Sequence, residues 1–358
     1  MTLSAETTVQ SASTPPASHY IREPLKDTGS LDAYKRFDVT PVIGLELPDV
    51  QVTDMLEDDI KLRDLAITVS RRGVVFFRNQ NITPDQQKVL AQKLGELTGK
   101  PATSKLYRHA VYNSRRNIAP DDKGNLDDEV SVISSEVDRK YYGYRFMNRI
   151  ASEGWHSDAT LGKFPADYSI LKMTHLPDGE SGGDTLWASG YEVYDRLSSP
   201  IQKLVEGLTA VHQNPHLNYL AKTHEMELEE DRGAPEDTVL AFKAKHPVVR
   251  TNPVTGWKCL FGAVGNVENG FIEGVTKRES DILKRYFHQL IAENHDLQVR
   301  FKWGQDDLAI WDNRCVFHTA TYYSDYTGKR QGNRVASLGE APYLDPASKS
   351  RAEALAGR

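Results

Sequence analysis

The sequence contains only two cysteines, Cys259 and Cys315, among its 358 residues. Two cysteines cannot form the dense disulfide framework of small secreted domains, and the plain inference is a reducing, cytoplasmic environment. No apolar run approaches the roughly 20 residues that a membrane-spanning helix needs. Acidic residues outnumber basic ones, 50 to 44, and no basic stripe is present, so nothing in the charge pattern favours a nucleic-acid partner.

The composition is that of a globular protein, with 39% hydrophobic and 26% charged residues. Residues 1–20 are rich in Ser, Thr, Ala and Pro and lack the basic-then-apolar pattern of a secretion signal, which predicts a flexible tail. No composition shift marks a domain boundary in the remainder. The sequence therefore predicts a single domain over residues 21–358.

The first third of the chain has helical patterns, and the second half has mostly strand patterns. Apolar spacing predicts a helix over 55–72 and a second helix that Thr83 caps and Pro84 begins. The polar segment 113–150 predicts a long loop or lid. Two further helices are predicted at 190–212 and 278–294. Short strands are predicted at residues 168–173, 185–187, 246–251, 257–261, 297–303, 308–311 and 334–338. This order predicts a mostly β, α+β fold: a β-sandwich or jelly-roll core with supporting helices.

One short motif carries chemistry: Gly154-Trp155-His156-Ser157-Asp158. On an extended chain, residues two apart point the same way, so His156 and Asp158 can face one metal ion. A second imidazole would complete the 2-His-1-carboxylate set that leaves iron with open positions. His318, at the end of an apolar strand, supplies one. Arg330 and Arg334 follow it, and a guanidinium is suited to hold a carboxylate of a co-substrate.

With these motifs the sequence resembles the taurine dioxygenase family, and its fungal sulfonate-dioxygenase branch most. The resemblance spans about residues 36 to 345. It rests on Gly154–Asp158, Gly182–Trp187, His246–Gly256, Ala309–His318 and Arg334–Pro342. It implies a double-stranded β-helix core and an enzyme that uses Fe(II), 2-oxoglutarate and O₂.

The resemblance also implies roles for individual residues. The implied iron ligands are His156, Asp158 and His318. Thr185 and Arg330 would bind the far carboxylate of 2-oxoglutarate. Arg330 lies one residue further from the distal histidine than the family pattern has it, so Lys329 competes for this role, although counting back from Arg334 favours Arg330. A plain surface charge is the other interpretation of Arg330.

The family binds the sulfonate of its prime substrate with an arginine, a histidine and a tyrosine, which match Arg334, His109 and Tyr112. Ser152 replaces an asparagine that assists them. Larger apolar pocket residues of the family correspond to Ala159, Leu161 and Leu217. The site for an anion is therefore retained, whereas the rest of the substrate pocket is altered.

Three functions follow as hypotheses. The first is hydroxylation of an alkanesulfonate, with release of sulfite and an aldehyde. The second is oxidation of another small anion by the same chemistry, such as hydroxylation, desaturation or cyclisation of an amino acid or a biosynthetic intermediate. The third is a non-redox zinc protein, since three protein ligands also suit catalytic zinc, but it leaves Arg330 and Thr185 unexplained. The expected partner is a small anionic molecule, and a homo-oligomer is left open.

Overall fold

The computed structural model describes residues 23–110, 118–120, 122–136, 150–177, 183–223, 225, 228–237, 242–321 and 328–356. The predicted tail at 1–20 and most of the Gly-rich turn after 177 lie outside these ranges. The helices are α1 (Asp59–Arg72), α2 (Pro84–Leu97), α3 (Gly190–Asp195), α4 (Ser199–Glu206), α5 (His216–Thr223), α6 (Lys277–Glu293) and α7 (Arg351–Ala356).

Within the described ranges, the strands lie before and between these helices, often several in succession. The first eight are β1 (Phe37–Asp38), β2 (Leu45–Leu47), β3 (Val74–Phe77), β4 (Ile118–Pro120), β5 (Leu126–Ser134), β6 (Ala166–His175), β7 (Thr185–Ser189) and β8 (Thr209–Gln213). The others are β9 (Lys243–Pro247), β10 (Val249–Thr251), β11 (Lys258–Leu260), β12 (Phe271–Glu273), β13 (Gln298–Phe301), β14 (Leu308–Asp312), β15 (Val316–Ala320) and β16 (Gln331–Leu338). The predicted mixture of many short strands and fewer helices is confirmed.

Local capping explains where the first two helices begin. The Asp58 side chain accepts hydrogen bonds from the N–H groups at the start of α1. Thr83 and Gln86 form a reciprocal capping box at α2, and Pro84 occupies its first turn. Such contacts satisfy amide groups that have no partner inside the helix. The predicted start of α2 at Thr83 and Pro84 is confirmed.

Among the described residues, the largest sheet has eight strands in the order β1-β2-β3-β14-β6-β16-β5-β4. A second sheet has the order β13-β7-β15. The two sheets pack face to face through aromatic rings: Trp187 lies 5.4 Å from Phe76 and 5.8 Å from Trp311 between ring centroids. Because side chains alternate along a strand, the neighbours Val75 and Phe77 point to the opposite face, where α1 and α2 cover them.

Two predicted elements differ from the structure. The segment 113–150, predicted as a loop or lid, contains β4 and β5 within its described part, and β5 pairs with β16. The acidic run Asp127-Asp128-Glu129 at the start of β5 hides the alternation that follows. The predicted helix at 190–212 is α3, α4 and then β8, because Gly207 ends α4 and the next residues pair with β9 and β12 on both sides.

The predicted hairpin around Asn252–Gly256 is confirmed, since β10 pairs with β11 antiparallel across that turn. The helix predicted at 278–294 is confirmed as α6. In the part of the chain that the structure describes, no helix is both long and apolar enough to span a bilayer. The second sheet matters most for function, because its edge strand β15 carries the distal histidine.

Candidate metal centre

The backbone places two imidazoles side by side. His318 lies in the middle of β15, and His156 is its antiparallel bridge partner on the side away from β7. The His156 N–H donates to the His318 carbonyl over 3.0 Å, and the His318 N–H donates back over 2.8 Å. Directly opposed residues of antiparallel chains carry their side chains on one face. The two ring centroids are accordingly 4.2 Å apart.

Asp158 completes the group from two residues beyond His156. Its Oδ1 lies 4.0 Å from His156 Nε2 and 3.9 Å from His318 Nε2. One ligand atom from each of the three residues lies within 4.8 Å of the other two, and within the described ranges this is the one such group of His, Cys, Asp or Glu side chains. The structure thus brings together the three side chains that the sequence analysis named.

The surroundings set the charges that metal ligands need. Burial by itself would raise the pKa of Asp158, but Arg334, followed by the two imidazoles and Ser169, outweighs it and lowers that pKa to about 2. Burial and the neighbouring His156 lower the pKa of His318 to about 3. At neutral pH Asp158 is therefore a carboxylate and His318 is a neutral imidazole, which are the forms that bind a metal ion.

His156 is oriented by a hydrogen bond on the ring nitrogen that faces away from Asp158. His156 Nδ1 lies 2.7 Å from the Gly154 carbonyl oxygen, which can only accept, so Nδ1 carries a proton and Nε2 is the ring nitrogen that faces Asp158. Gly265 lies against the same residue with φ at +72°, and a Cβ added there would be 2.8 Å from His156 Cβ. The position of the imidazole thus depends on a glycine at 265.

Gly265→Ala is expected to weaken metal binding. The new methyl group must push against His156, and its backbone conformation is unfavourable for alanine. We expect the dissociation constant for Co(II) to rise by about 10-fold. Changes to residues that orient a metal ligand usually weaken metal binding by about 10- to 100-fold, and this change is expected at the lower end of that range. Titration of the metal-free protein measures it. Gly274→Ala is the matched control, because Gly274 also has positive φ but its Cβ would meet only the Leu208 side chain; equal affinities of the two variants would contradict the prediction.

Three further groups contact Asp158. Its Oδ1 accepts from Arg334 Nη1 at 2.7 Å, its Oδ2 accepts from Ser169 Oγ at 2.8 Å, and its backbone N–H donates to Asn313 Oδ1 over 3.2 Å. Arg334 was predicted from the sequence, whereas Ser169 and Asn313 were not. Asn313 stands inside the stretch Ala309–His318 that carries the resemblance, yet no spacing rule relates its side chain to residue 158.

Arg330 and Lys329, the two residues that compete to bind the co-substrate carboxylate, differ in burial. The Arg330 residue is 3% exposed, whereas Lys329 is exposed. Arg330 Nη2 donates to the Gly183 carbonyl over 2.6 Å. Gly183 has φ at +67°, and a Cβ there would overlap the guanidinium group. The structure therefore places Arg330 inside the protein and Lys329 at its surface.

Thr185 lies on the same face of the second sheet as the distal histidine. Trp187 pairs with His318, and Thr185 is two residues earlier on β7, so the two side chains point the same way. Thr185 is buried, and its Oγ1 accepts from Trp303 Nε1 at 3.0 Å. Its own hydroxyl proton can be donated to a carboxylate on that face.

The residues predicted to bind the prime substrate come from several segments. Arg334 lies on β16 beside Asp158. His109 is half-buried and follows Tyr107, whose N–H donates to a β16 carbonyl. Ser152 is half-buried in the short 3-10 helix Ala151–Gly154, and its carbonyl oxygen is 2.9 Å from His288 Nε2. Tyr112 lies outside the described residues.

The altered apolar positions fall into two clusters. Leu161 and Leu217 pack in one cluster, whose other members are Ala110, Leu228 and Phe242. Ala159 packs in a second cluster, with Phe164, Leu338 and their neighbours. Ala159 and Leu161 lie one and three residues after Asp158 in sequence, yet they pack in different clusters.

The donor set suits iron. Two neutral imidazoles and one carboxylate on one side of an ion are the facial arrangement of non-haem Fe(II) oxygenases, which leaves open positions for co-substrate and oxygen. Cys259 and Cys315 are both buried and are not part of the group. His156, Asp158 and His318 could therefore hold Fe(II) without a thiolate ligand.

Comparisons with known proteins agree with this chemistry. Residues 35–336 match the family described as "Taurine catabolism dioxygenase TauD, TfdA family". An alpha-ketoglutarate-dependent dioxygenase of Neocamarosporium betae is 47% identical over 93% of this chain and 99% of its own length. An alpha-ketoglutarate-dependent dioxygenase of Aspergillus oryzae is 44% identical over 93% of this chain and 96% of its own length. An alpha-ketoglutarate-dependent sulfonate dioxygenase of Saccharomyces cerevisiae is 31% identical over 86% and 67%.

Solved structures show the same fold. A taurine dioxygenase from Burkholderia xenovorans superposes with a TM-score of 0.64 at 27% identity and covers 88% of this chain and 92% of its own. The family match spans most of the chain and includes all three residues of the metal centre. The chain belongs to the TauD/TfdA family and is an Fe(II)- and 2-oxoglutarate-dependent dioxygenase.

Proposed function

We propose that this dioxygenase oxidises a small organic anion whose acid group binds Arg334. One observation carries the proposal: the Arg334 guanidinium contacts the carboxylate of the metal centre, with Nη1 2.7 Å from Asp158 Oδ1. A guanidinium group binds an acid group in a planar, paired geometry, so Arg334 is suited to hold an anionic substrate at this position. An anion held there lies next to the metal.

We assign the other roles as follows. His156, Asp158 and His318 would hold the iron, and Arg330 and Thr185 would hold the far carboxylate of 2-oxoglutarate. When bound, iron and 2-oxoglutarate supply the oxidising power that O₂ needs to attack a C–H bond, with succinate and CO₂ as by-products. The protein orients the ligands and holds the substrate carbon near the metal. We also assign the two facing sheets to the double-stranded β-helix that the family resemblance implies.

For an alkanesulfonate the reaction balances in two steps. One oxygen atom of O₂ enters the C–H bond beside the sulfonate, and the other enters succinate as 2-oxoglutarate loses CO₂. The carbon–sulfur bond of the hydroxylated product then breaks, which gives an aldehyde and sulfite. The name of the 31% identical yeast relative supports this substrate class.

A second substrate class is an amino acid or a biosynthetic intermediate with a carboxylate group. The relatives at 47% and 44% identity are named for their co-substrate alone, not for a sulfonate. Leu161 and Leu217, which match apolar pocket residues of the family, pack together in one apolar cluster, which favours a substrate with an apolar portion. Succinate formation with a panel of sulfonates and carboxylates separates the two classes, and sulfite release from any sulfonate decides for the first.

Arg334→Ala is the test of the anion site. We expect the half-saturating concentration of the active substrate to rise by about 100-fold, as for the loss of a partly buried charge partner. The half-saturating concentration of 2-oxoglutarate should stay within about 2-fold, since that ligand uses another arginine. Arg196→Ala is the control, because Arg196 pairs with Asp296 at the surface and contacts no residue of the centre. Unchanged substrate saturation in Arg334→Ala would remove the proposal.

A further inference from the structure

We propose that Asn313 is a positioning residue that decides which oxygen of Asp158 faces the metal. The inference rests on the proposed metal role of Asp158. It concerns a chain of hydrogen bonds that starts at Trp311, runs through Asn313 and Ser169 and ends on the carboxylate. All four residues are buried, with exposures of 5% or less.

Trp311 fixes the donor-to-acceptor direction of these hydrogen bonds. The indole Nε1–H can only donate, and it lies 2.9 Å from Asn313 Oδ1. The Asp158 backbone N–H, another obligatory donor, points at the same oxygen over 3.2 Å. Two donors on one side require the amide oxygen there, so the Asn313 NH₂ group must face the other way.

The NH₂ group of Asn313 fixes the direction of the hydrogen bonds that lead to the carboxylate. Asn313 Nδ2 donates to Ser169 Oγ over 2.8 Å, which occupies a lone pair of that hydroxyl. The Ser169 proton is then directed to Asp158 Oδ2 over 2.8 Å. Oδ2 is thereby held by Ser169, while Oδ1, which also accepts from Arg334, is the oxygen that lies 3.9 Å and 4.0 Å from the two imidazole nitrogens. Asp158 is thus held ready to bind through a single oxygen.

Burial makes the chain necessary, because water cannot easily replace a lost donor there. Without the NH₂ group of Asn313, the Ser169 hydroxyl can rotate, and the carboxylate loses its fixed donor. A purely structural role is the rival interpretation, since Asn313 also bonds the Asp167 carbonyl through its backbone N–H at 2.7 Å and through Nδ2 at 3.3 Å. The experiment must separate these two roles.

The test measures metal affinity rather than turnover. Metal-free Asn313→Ala is titrated with Co(II), and circular dichroism checks its fold. We expect the dissociation constant to rise by about 10- to 100-fold, the usual effect of losing a residue that orients a metal ligand. The visible absorption of bound Co(II) should also change shape, since the carboxylate is free to bind through both oxygens.

Asn252→Ala is the matched control. Asn252 is as buried as Asn313, donates to a carboxylate, Asp312 Oδ2, over 3.0 Å, and accepts from the Val254 N–H over 2.9 Å. It contacts none of the three metal-centre residues. Its loss should lower stability but leave Co(II) affinity and spectrum unchanged. An equal loss of affinity in both variants would mean general loosening and would overturn the proposal.

Ser169→Ala keeps the proposal testable if Asn313→Ala does not fold. Deletion of one hydroxyl should raise the Co(II) dissociation constant by about 10-fold, and in the double variant the two effects should not add, because both act through one chain. Wild-type affinity in Ser169→Ala, or full additivity, would overturn the inference. If the wild-type protein binds no metal, that result would instead contradict the proposed function.

Discussion

Asp158→Ala is expected to remove turnover and to raise the metal dissociation constant by more than about 100-fold. This effect is larger than that of replacing a residue that only orients a metal ligand. The carboxylate supplies the negative charge among the three ligands, and its loss leaves Arg334 close to a dication with no intervening anion. Repulsion then adds to the missing bond. Titration of the metal-free variant with Co(II), together with 2-oxoglutarate-dependent oxygen consumption, measures both effects.

Asp307→Ala is the control for this experiment. Asp307 is 3% exposed and pairs with Arg78 over 2.6 Å, so it matches Asp158 in burial and in having an arginine partner. It contacts none of the metal-centre residues, and its replacement should cost stability without changing metal affinity. Metal binding by Asp158→Ala that equals the wild type would show that the metal lies elsewhere.

Arg330→Ala is expected to raise the half-saturating concentration of 2-oxoglutarate by about 100-fold, because truncating one partner of a buried, hydrogen-bonded charge pair costs several kcal/mol. The metal dissociation constant should stay close to the wild-type value, since Arg330 is not among the contacts of Asp158. Succinate formation at varied 2-oxoglutarate concentration gives the first quantity, and Co(II) titration gives the second.

The chain offers its own control in the next residue. Lys329 carries the same charge but is exposed, so Lys329→Ala should leave 2-oxoglutarate saturation unchanged. The reverse pattern, with Lys329→Ala impaired and Arg330→Ala normal, would transfer the role to the lysine. Arg330→Lys should recover only part of the affinity, because an ammonium group lacks the paired geometry of a guanidinium.

Local rules were sufficient for several elements of the fold. The start of α2 was predictable because Thr83 and Pro84 act on the backbone beside them. The shared direction of His156 and Asp158 followed from the two-residue period of an extended chain. His318 was a candidate because it ends an apolar run, and the family resemblance then implied its role as a ligand. These inferences depend on contacts between residues that are close in sequence, or on a complete motif.

Other features depend on contacts that no local pattern contains. Strand β5 has three acidic residues directly after its first residue, and pairing with β16 stabilises it as a strand despite them. Arg330 and Lys329 are adjacent and both basic, and only the packing around Gly183 decides which of them is buried. Asn313 reaches Asp158 because the chain folds back on itself, so its role was invisible in the sequence.

The burial of Arg330 close in sequence to Arg334 has an electrostatic consequence for the complete complex. Taken by themselves, the two guanidinium groups and the one carboxylate of Asp158 leave a single positive charge. A divalent ion adds two, the dianionic co-substrate removes two, and a monoanionic substrate removes the last. Once the metal and the co-substrate are bound, the acid group of the substrate brings this sum to zero, whereas an uncharged compound of the same shape would leave one positive charge in the interior, which selects against it.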